Sequence, residues 1–167
     1  MINGMFGEFE VLINGEVVEK GPNTVTNLGR KWLIDRAVNV GSVLAWNTTS
    51  AYLAVGEGSG LSLASLSGLI NEVGAGNNSR AQFLSVNRGV DAGSTICGSV
   101  TFGGSGARGI IRELGVFVTG YDGAVVKTAT STKDTGILFA RKSMNTTRTV
   151  NSGALFEVRY LYTLWNS

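Results

Sequence analysis

The chain has 167 residues, one domain's worth, and surface scaling for 17.5 kDa gives about 69% of the unfolded chain's accessible area buried on folding. A single cysteine, Cys97, and no histidine exclude an intrachain disulfide, a cysteine-built zinc site and the Ser-His and Cys-His nucleophile pairs. Fourteen basic against twelve acidic residues leave a net charge of +2, too small to point to nucleic acid, and no apolar run approaches the ~20 residues that span a bilayer. Only 16% of residues are charged and 24 are glycine, so part of the surface is expected to be covered in an oligomer. No cofactor and no metal are expected. The opening Met1-Ile2-Asn3-Gly4 has neither a basic nor an apolar segment, so no secretion signal is expected.

In chain order, Phe6–Ile13 and Glu16–Lys20 flank Asn14-Gly15, the strongest short signal for a β-hairpin, and Gly21-Pro22 ends the second strand. Thr26 or Asn27 caps one predicted helix, running to about Val38. Leu28, Trp32, Leu33 and Ala37 form its apolar stripe, and Arg30, Lys31 and Asp35 its outer face. Ala51–Val55 reads as a short strand of the buried type. Leu61–Val73 has diluted helical spacing and is expected to be a loop with a helical turn or two.

From Ser79 the pattern is β, with runs near 80–87, 94–102, 110–119, 124–127, 137–142 and 154–165 separated by turn residues. In the last run Phe156, Val158, Tyr160, Tyr162 and Leu164 share one face against Glu157, Arg159 and Thr163. Ile110, Leu114, Val116 and Val118 alternate in the same way against Glu113, Gly115 and Phe117. About nine strands, one helix and no βαβ alternation predict a mainly β fold: a jelly-roll-like β-sandwich or barrel with one short α-helix and an N-terminal β-hairpin. Residues 1–21 are expected as a hairpin arm and 22–167 as the body.

Gly104–Gly109 matches GxGxxG, but β alternation follows it where the dinucleotide fingerprint needs a helix, so a strand connection is expected. Gly56-Glu57-Gly58-Ser59-Gly60 lacks the phosphate-loop lysine and reads as a turn. The sequons at Asn47, Asn77 and Asn145 mark solvent-facing loops. Glu57, Glu72, Glu113 and Glu157 are the carboxylates a histidine-free glycosidase would use. No spacing pairs them, and Glu113 and Glu157 are expected as solvated charges on strand faces.

Cys97 is expected as a buried, inert thiol. Residues 1–20 carry four acids and one base, net −3, so the remainder carries +5. An acidic hairpin of this kind either docks on a neighbour's basic body or joins its own sheet. The first option makes Phe6, Glu8, Phe9, Glu10, Glu16 and Glu19 interface residues. Arg141, Lys142 and Arg148 are expected as a small basic patch that salt-bridges a neighbouring chain.

Several segments together resemble small virion proteins of tailed bacteriophages, capsid decoration (cement) proteins above all. They are Val25–Gly29 opening a helix, Tyr52–Gly58, Leu69–Val73, Arg80 at a strand start, Ile111–Phe117, Leu138–Lys142 and Leu155–Trp165. The chain departs from that pattern where residues 74–79 stand between Glu72 and Arg80. The resemblance implies a jelly-roll-like barrel, homotrimers on the capsid exterior after assembly in the host cytoplasm, and the major capsid protein lattice as partner. It implies no active site and no cofactor, nucleic acid or membrane. A tail or baseplate protein, with Trp46 as a receptor- or sugar-contacting residue, is the alternative. A wall-degrading glycosidase is a more distant one.

Overall fold

Asn14 (φ 52°) and Gly15 (φ 84°) both adopt left-handed backbone, as a type I′ turn demands. They join β1 (Phe6–Ile13) to β2 (Glu16–Pro22). The computed structural model describes residues 6–38, 46–73, 80–88, 95–102 and 109–163. The remaining elements are β3 (Thr24–Val25), α1 (Asn27–Ala37), β4 (Ala51–Gly56), β5 (Arg80–Gln82), β6 (Ser85–Arg88) and β7 (Thr95–Phe102). They continue with β8 (Gly109–Val118), β9 (Gly120–Asp122), β10 (Val125–Lys127), β11 (Ile137–Val150) and β12 (Phe156–Thr163).

The described strands form two five-stranded antiparallel sheets, β2-β1-β12-β7-β6 and β3-β11-β8-β4-β5, with β9 and β10 as a separate ribbon. The protein is mainly β with one helix, as the turn spacing predicts. Phe9, Val11, Val100, Val158 and Tyr160 from the first sheet share one core with Leu53, Val55, Leu114, Val116 and Phe139 from the second. Phe139 and Tyr162 meet edge-to-face across the sheets at 5.2 Å. Burial pushes the Tyr160 and Tyr162 phenols well above their usual range, because ionisation there has no water to support it.

Short connections link the margins of the two sheets. β2 ends one sheet and β3 the other, with only Asn23 between them; β5 and β6 do the same at the opposite side, joined through Phe83-Leu84. Phe83 turns into the core at this corner. Each sheet margin is therefore continued by covalent connection into the other sheet.

The N-terminal hairpin is built into the sandwich and is not an arm. β1 pairs with β12 from Phe6 opposite Thr163 to Ile13 opposite Phe156, and Phe9 and Val11 are fully buried. Strict alternation put two apolar side chains where the core could take them.

The helix is capped by Thr26, whose Oγ1 accepts from Gly29 N at 3.0 Å. Its buried line is Gly29, Trp32 and Asp35, whereas Leu28 and Leu33 are half-buried and Ala37 is exposed. This corrects the expected outward position of Asp35, which pairs with Lys31. The rotation is set by close approach. A Cβ on Gly29 would stand 2.2 Å from Phe139 O, so glycine lets α1 lie on β11, and Trp32 Nε1 then donates to Thr119 O at 2.9 Å. β11 also outruns its predicted end, with Asn145–Thr147 exposed inside it at a register break.

Candidate functional site

β8 alternates as expected from Glu113 to Val118, with both faces of that stretch covered, but Ile110 is exposed and Ile111 enters the core in its place. Leu114, Val116 and Val118 enter the shared core, while Phe117 is 3% and Glu113 0% exposed on the other side. The cover is the segment 57–73, which has neither helix nor strand and crosses the outer face of the second sheet as a strap. Leu66 and Leu69 pack on Ala54, Phe117 and Leu138 beneath it. Glu113 is therefore not a solvated charge, which corrects that expectation; the alternation was right and the solvent exposure was not.

Glu113 ties both ends of the strap to the sheet. Its Oε1 accepts from Gly58 N at 3.1 Å and Asn71 N at 2.8 Å, and its Oε2 accepts from Ile70 N at 3.1 Å. Arg141, directly across from Gly115 on β11, donates from Nε to Glu113 Oε2 at 2.8 Å, with Nη2 at 2.8 Å from the same oxygen. Arg141 Nη1 reaches back to Leu61 O at 2.9 Å. One buried ion pair thus holds residues 58, 61, 70 and 71 in place. Gly56 and Gly58 are required by this geometry, since a Cβ at either would come within 2.5 Å and 2.4 Å of Glu113 Oε1. What reads as a turn motif is the clearance for a buried carboxylate.

A second pair closes the far end of the strap. Arg80 grips Glu72 with two bonds, Nε to Oε1 at 2.7 Å and Nη2 to Oε2 at 2.9 Å. Its guanidinium lies 3.6 Å from the centre of the Phe117 ring. The pair forms although residues 74–79, which lie outside the described residues, intervene in the sequence.

The other expected interface residues are placed as follows. Arg141 and Lys142 do not form an exposed patch: Lys142 is 3% exposed and its Nζ lies 3.2 Å from Glu19 Oε1, across the β2 margin. Glu19 also accepts from Asn145 N at 2.8 Å, and Arg148 donates to Val18 O. These basic groups are spent on closing their own fold. Glu8 pairs with Lys20 and Glu10 with Arg159 at the surface, Glu16 is exposed, Phe9 is in the core, and Phe6 opens β1. Trp46 is not a loop-tip aromatic: it stacks on Tyr160 at 5.5 Å and meets Phe139 edge-on at 4.8 Å. Asn47 caps its own turn through Thr49. Cys97 lies in β7, and most of Gly104–Gly109 falls outside the described residues.

Above the strap the chemistry changes. Leu61 is 80% exposed, and Leu63 and Ile70 are each 51% exposed, with Ile70 Cδ1 lying 3.1 Å from where a Cβ on Gly60 would sit. Apolar side chains are thus presented to solvent on a backbone fixed from below by buried charges. Beside the strap a cleft of about 230 Å³ opens, with Phe117 and Leu28 at its apolar side and Asp122, Lys127 and Asp134 at its polar side. Among the described residues no cluster of three metal-ligating side chains occurs.

No protein-family model matches the chain, and no curated protein and no solved structure is similar to it.

Sequence reasoning singled out the residues of the two buried pairs only as parts of a pattern, or as separate charges. The register sets Glu113 opposite Gly56, the first glycine of the Gly56–Gly60 run, and Arg141 opposite Gly115, all on the outer face of the second sheet.

Proposed function

We propose that this chain is a non-enzymatic virion packing protein of the capsid decoration kind, which binds the exterior of an assembled shell and holds neighbouring subunits together. The observation that carries the reading is the strap: three exposed apolar side chains, Leu61, Leu63 and Ile70, on a segment pinned by Glu113–Arg141 and Glu72–Arg80. A docking surface that is already rigid loses little conformational entropy on binding, so a modest apolar area gives useful affinity. Binding only to the assembled lattice then stabilises that lattice by mass action. The resemblance supplies the partner, a lattice of major capsid protein, and the jelly-roll-like connectivity belongs to the same reading.

The test is occupancy on purified shells. Leu61→Asp and Leu63→Asp lie on the exposed side of the strap and should leave the circular dichroism spectrum unchanged while reducing co-sedimentation with shells by about tenfold or more. Unchanged occupancy of the double variant would sink the strap as the contact. Electron microscopy of intact particles that places the chain on the tail would replace the capsid lattice with a tail partner. Truncation of the N-terminal hairpin is unsuitable as a test, because β1 is an inner strand and its loss removes the fold along with any binding.

A further inference from the structure

We propose that the β9–β10 ribbon is a self-association element, pairing edge to edge through β10 with the same strand of a second copy about a twofold axis. β10 is a terminal strand whose outer edge no other described strand covers. Among the described strands β10 hydrogen-bonds to β9 alone, so its other edge keeps alternate N–H and C=O groups unpaired. All three of its residues are exposed, Val125 at 60% and Val126 at 41%. The strand is short and carries one lysine, as guarded edges do, but it has no proline and no bulge, and Lys127 takes an opposite charge in the pairing that follows.

The charge pattern selects the occupant and the register. Within the ribbon Val125 stands opposite Asp122, Val126 opposite Tyr121 and Lys127 opposite Gly120. Antiparallel pairing of two β10 strands centred on Val126 sets Val126 against the second copy's Val126, and Val125 against its Lys127. Side chains of directly paired residues share a face, so one face carries the row Asp122, Val125 and the second copy's Lys127, repeated by symmetry. At about 4.8 Å per strand the Asp122 and Lys127 backbones are about 10 Å apart, a gap the lysine stem spans across the valine. The opposite face carries Tyr121 and Val126 of both copies, an apolar strip. Shifting the centre to Lys127 would oppose two lysines. Neither Asp122 nor Lys127 has an ion-pair partner among the described residues, so both remain available to the second copy. The association goes beyond the shell-binding reading and stands or falls separately from it.

A contact this small lies below the roughly 1,000 Å² of a stable interface, so association is weak in solution and is driven by local concentration on a scaffold. Sedimentation velocity of the intact protein over a wide concentration range should show a reversible monomer–dimer equilibrium. Asp122→Lys and Lys127→Asp, each alone, should weaken dimerisation by about tenfold or more, because each sets like charges in both rows. The double variant restores opposite charges and should recover the wild-type equilibrium. Val126→Cys should give a disulfide-linked dimer on mild oxidation, since directly opposed strand positions match disulfide spacing. The wild-type chain, with its own Cys97, and Val17→Cys, an exposed valine on β2, are the controls. Monomeric sedimentation at every concentration with no Val126→Cys cross-link above these controls overturns the proposal. A double variant that associates no better than either single variant overturns it as well.

Discussion

On the outer face of the first sheet, Glu10 meets Arg159 at 3.5 Å and Glu8 meets Lys20 at 3.2 Å, with Arg159 and Lys20 more than half exposed. On the outer face of the second, Glu113 meets Arg141 and Glu72 meets Arg80 at 2.8 Å and 2.7 Å with almost no exposure. The residue types are nearly the same. What differs is a strap of chain that excludes water from one face and not from the other. In water the pairs contribute little, because screening and side-chain entropy offset the attraction. Under the strap each partner depends on the other, since a lone buried charge is costly. The open face supplies solubility, whereas the covered face specifies where a loop must lie.

The comparison breaks if the two kinds of pair prove equal. Arg141→Met should cost about 3–5 kcal/mol, read as a lower urea midpoint, because it strands the Glu113 carboxylate under the strap. In the same variant, amide exchange at Gly58, Ile70 and Asn71 should quicken before global unfolding, since their acceptor loses its anchor. A cost below about 1 kcal/mol would mean that water already reaches this site.

A smaller effect probes the inner face of the first sheet. Tyr160 and Tyr162 titrate above the usual tyrosine value of about 10 because they are buried. The unfolded chain therefore releases these protons first as pH rises. The stability associated with the neutral phenols is complete below about pH 10 and falls above it, by up to about 1.4 kcal/mol per pH unit for each tyrosine. Alkaline unfolding followed by ultraviolet tyrosinate absorbance should show both phenols ionising with unfolding. Their ionisation near pH 10 in the native protein would show that water enters the core.

Gly58→Ala sharpens the account of the strap. Its Cβ would sit 2.4 Å from Glu113 Oε1 and 2.5 Å from Ile70 Cβ, so a loss of about 1–3 kcal/mol is expected in thermal or urea unfolding. A stabilised Gly58→Ala would show that Glu113 does not need the clearance. The smallest effect belongs to the open face: Arg159→Ala should leave the urea midpoint essentially unchanged, even though its bonds to Glu157 and Glu10 raise the guanidinium's pKa.

Much of the architecture could be read locally. Asn14-Gly15 named its turn, Thr26 its cap, and the Phe156–Tyr162 alternation its buried face, because each depends on backbone geometry within a few residues. The candidate site was not readable in this way. Period-two alternation separates the two faces of β8, but whether the Glu113 face meets water depends on a segment some 40–55 residues away, residues 58–71. The same holds for Asp35, whose place was decided by how closely Gly29 lets the helix approach β11.

From the amino-acid order alone came a mainly β chain, one capped helix and an N-terminal hairpin, since short-range dihedral preference and side-chain period are written residue by residue. The tertiary structure decided that the hairpin lies inside the sandwich, that Arg141 and Lys142 bind their own chain, and that an irregular strap covers a charged face. Those outcomes are set by which distant segment removes water from a side chain, and burial is a property of the whole packed chain.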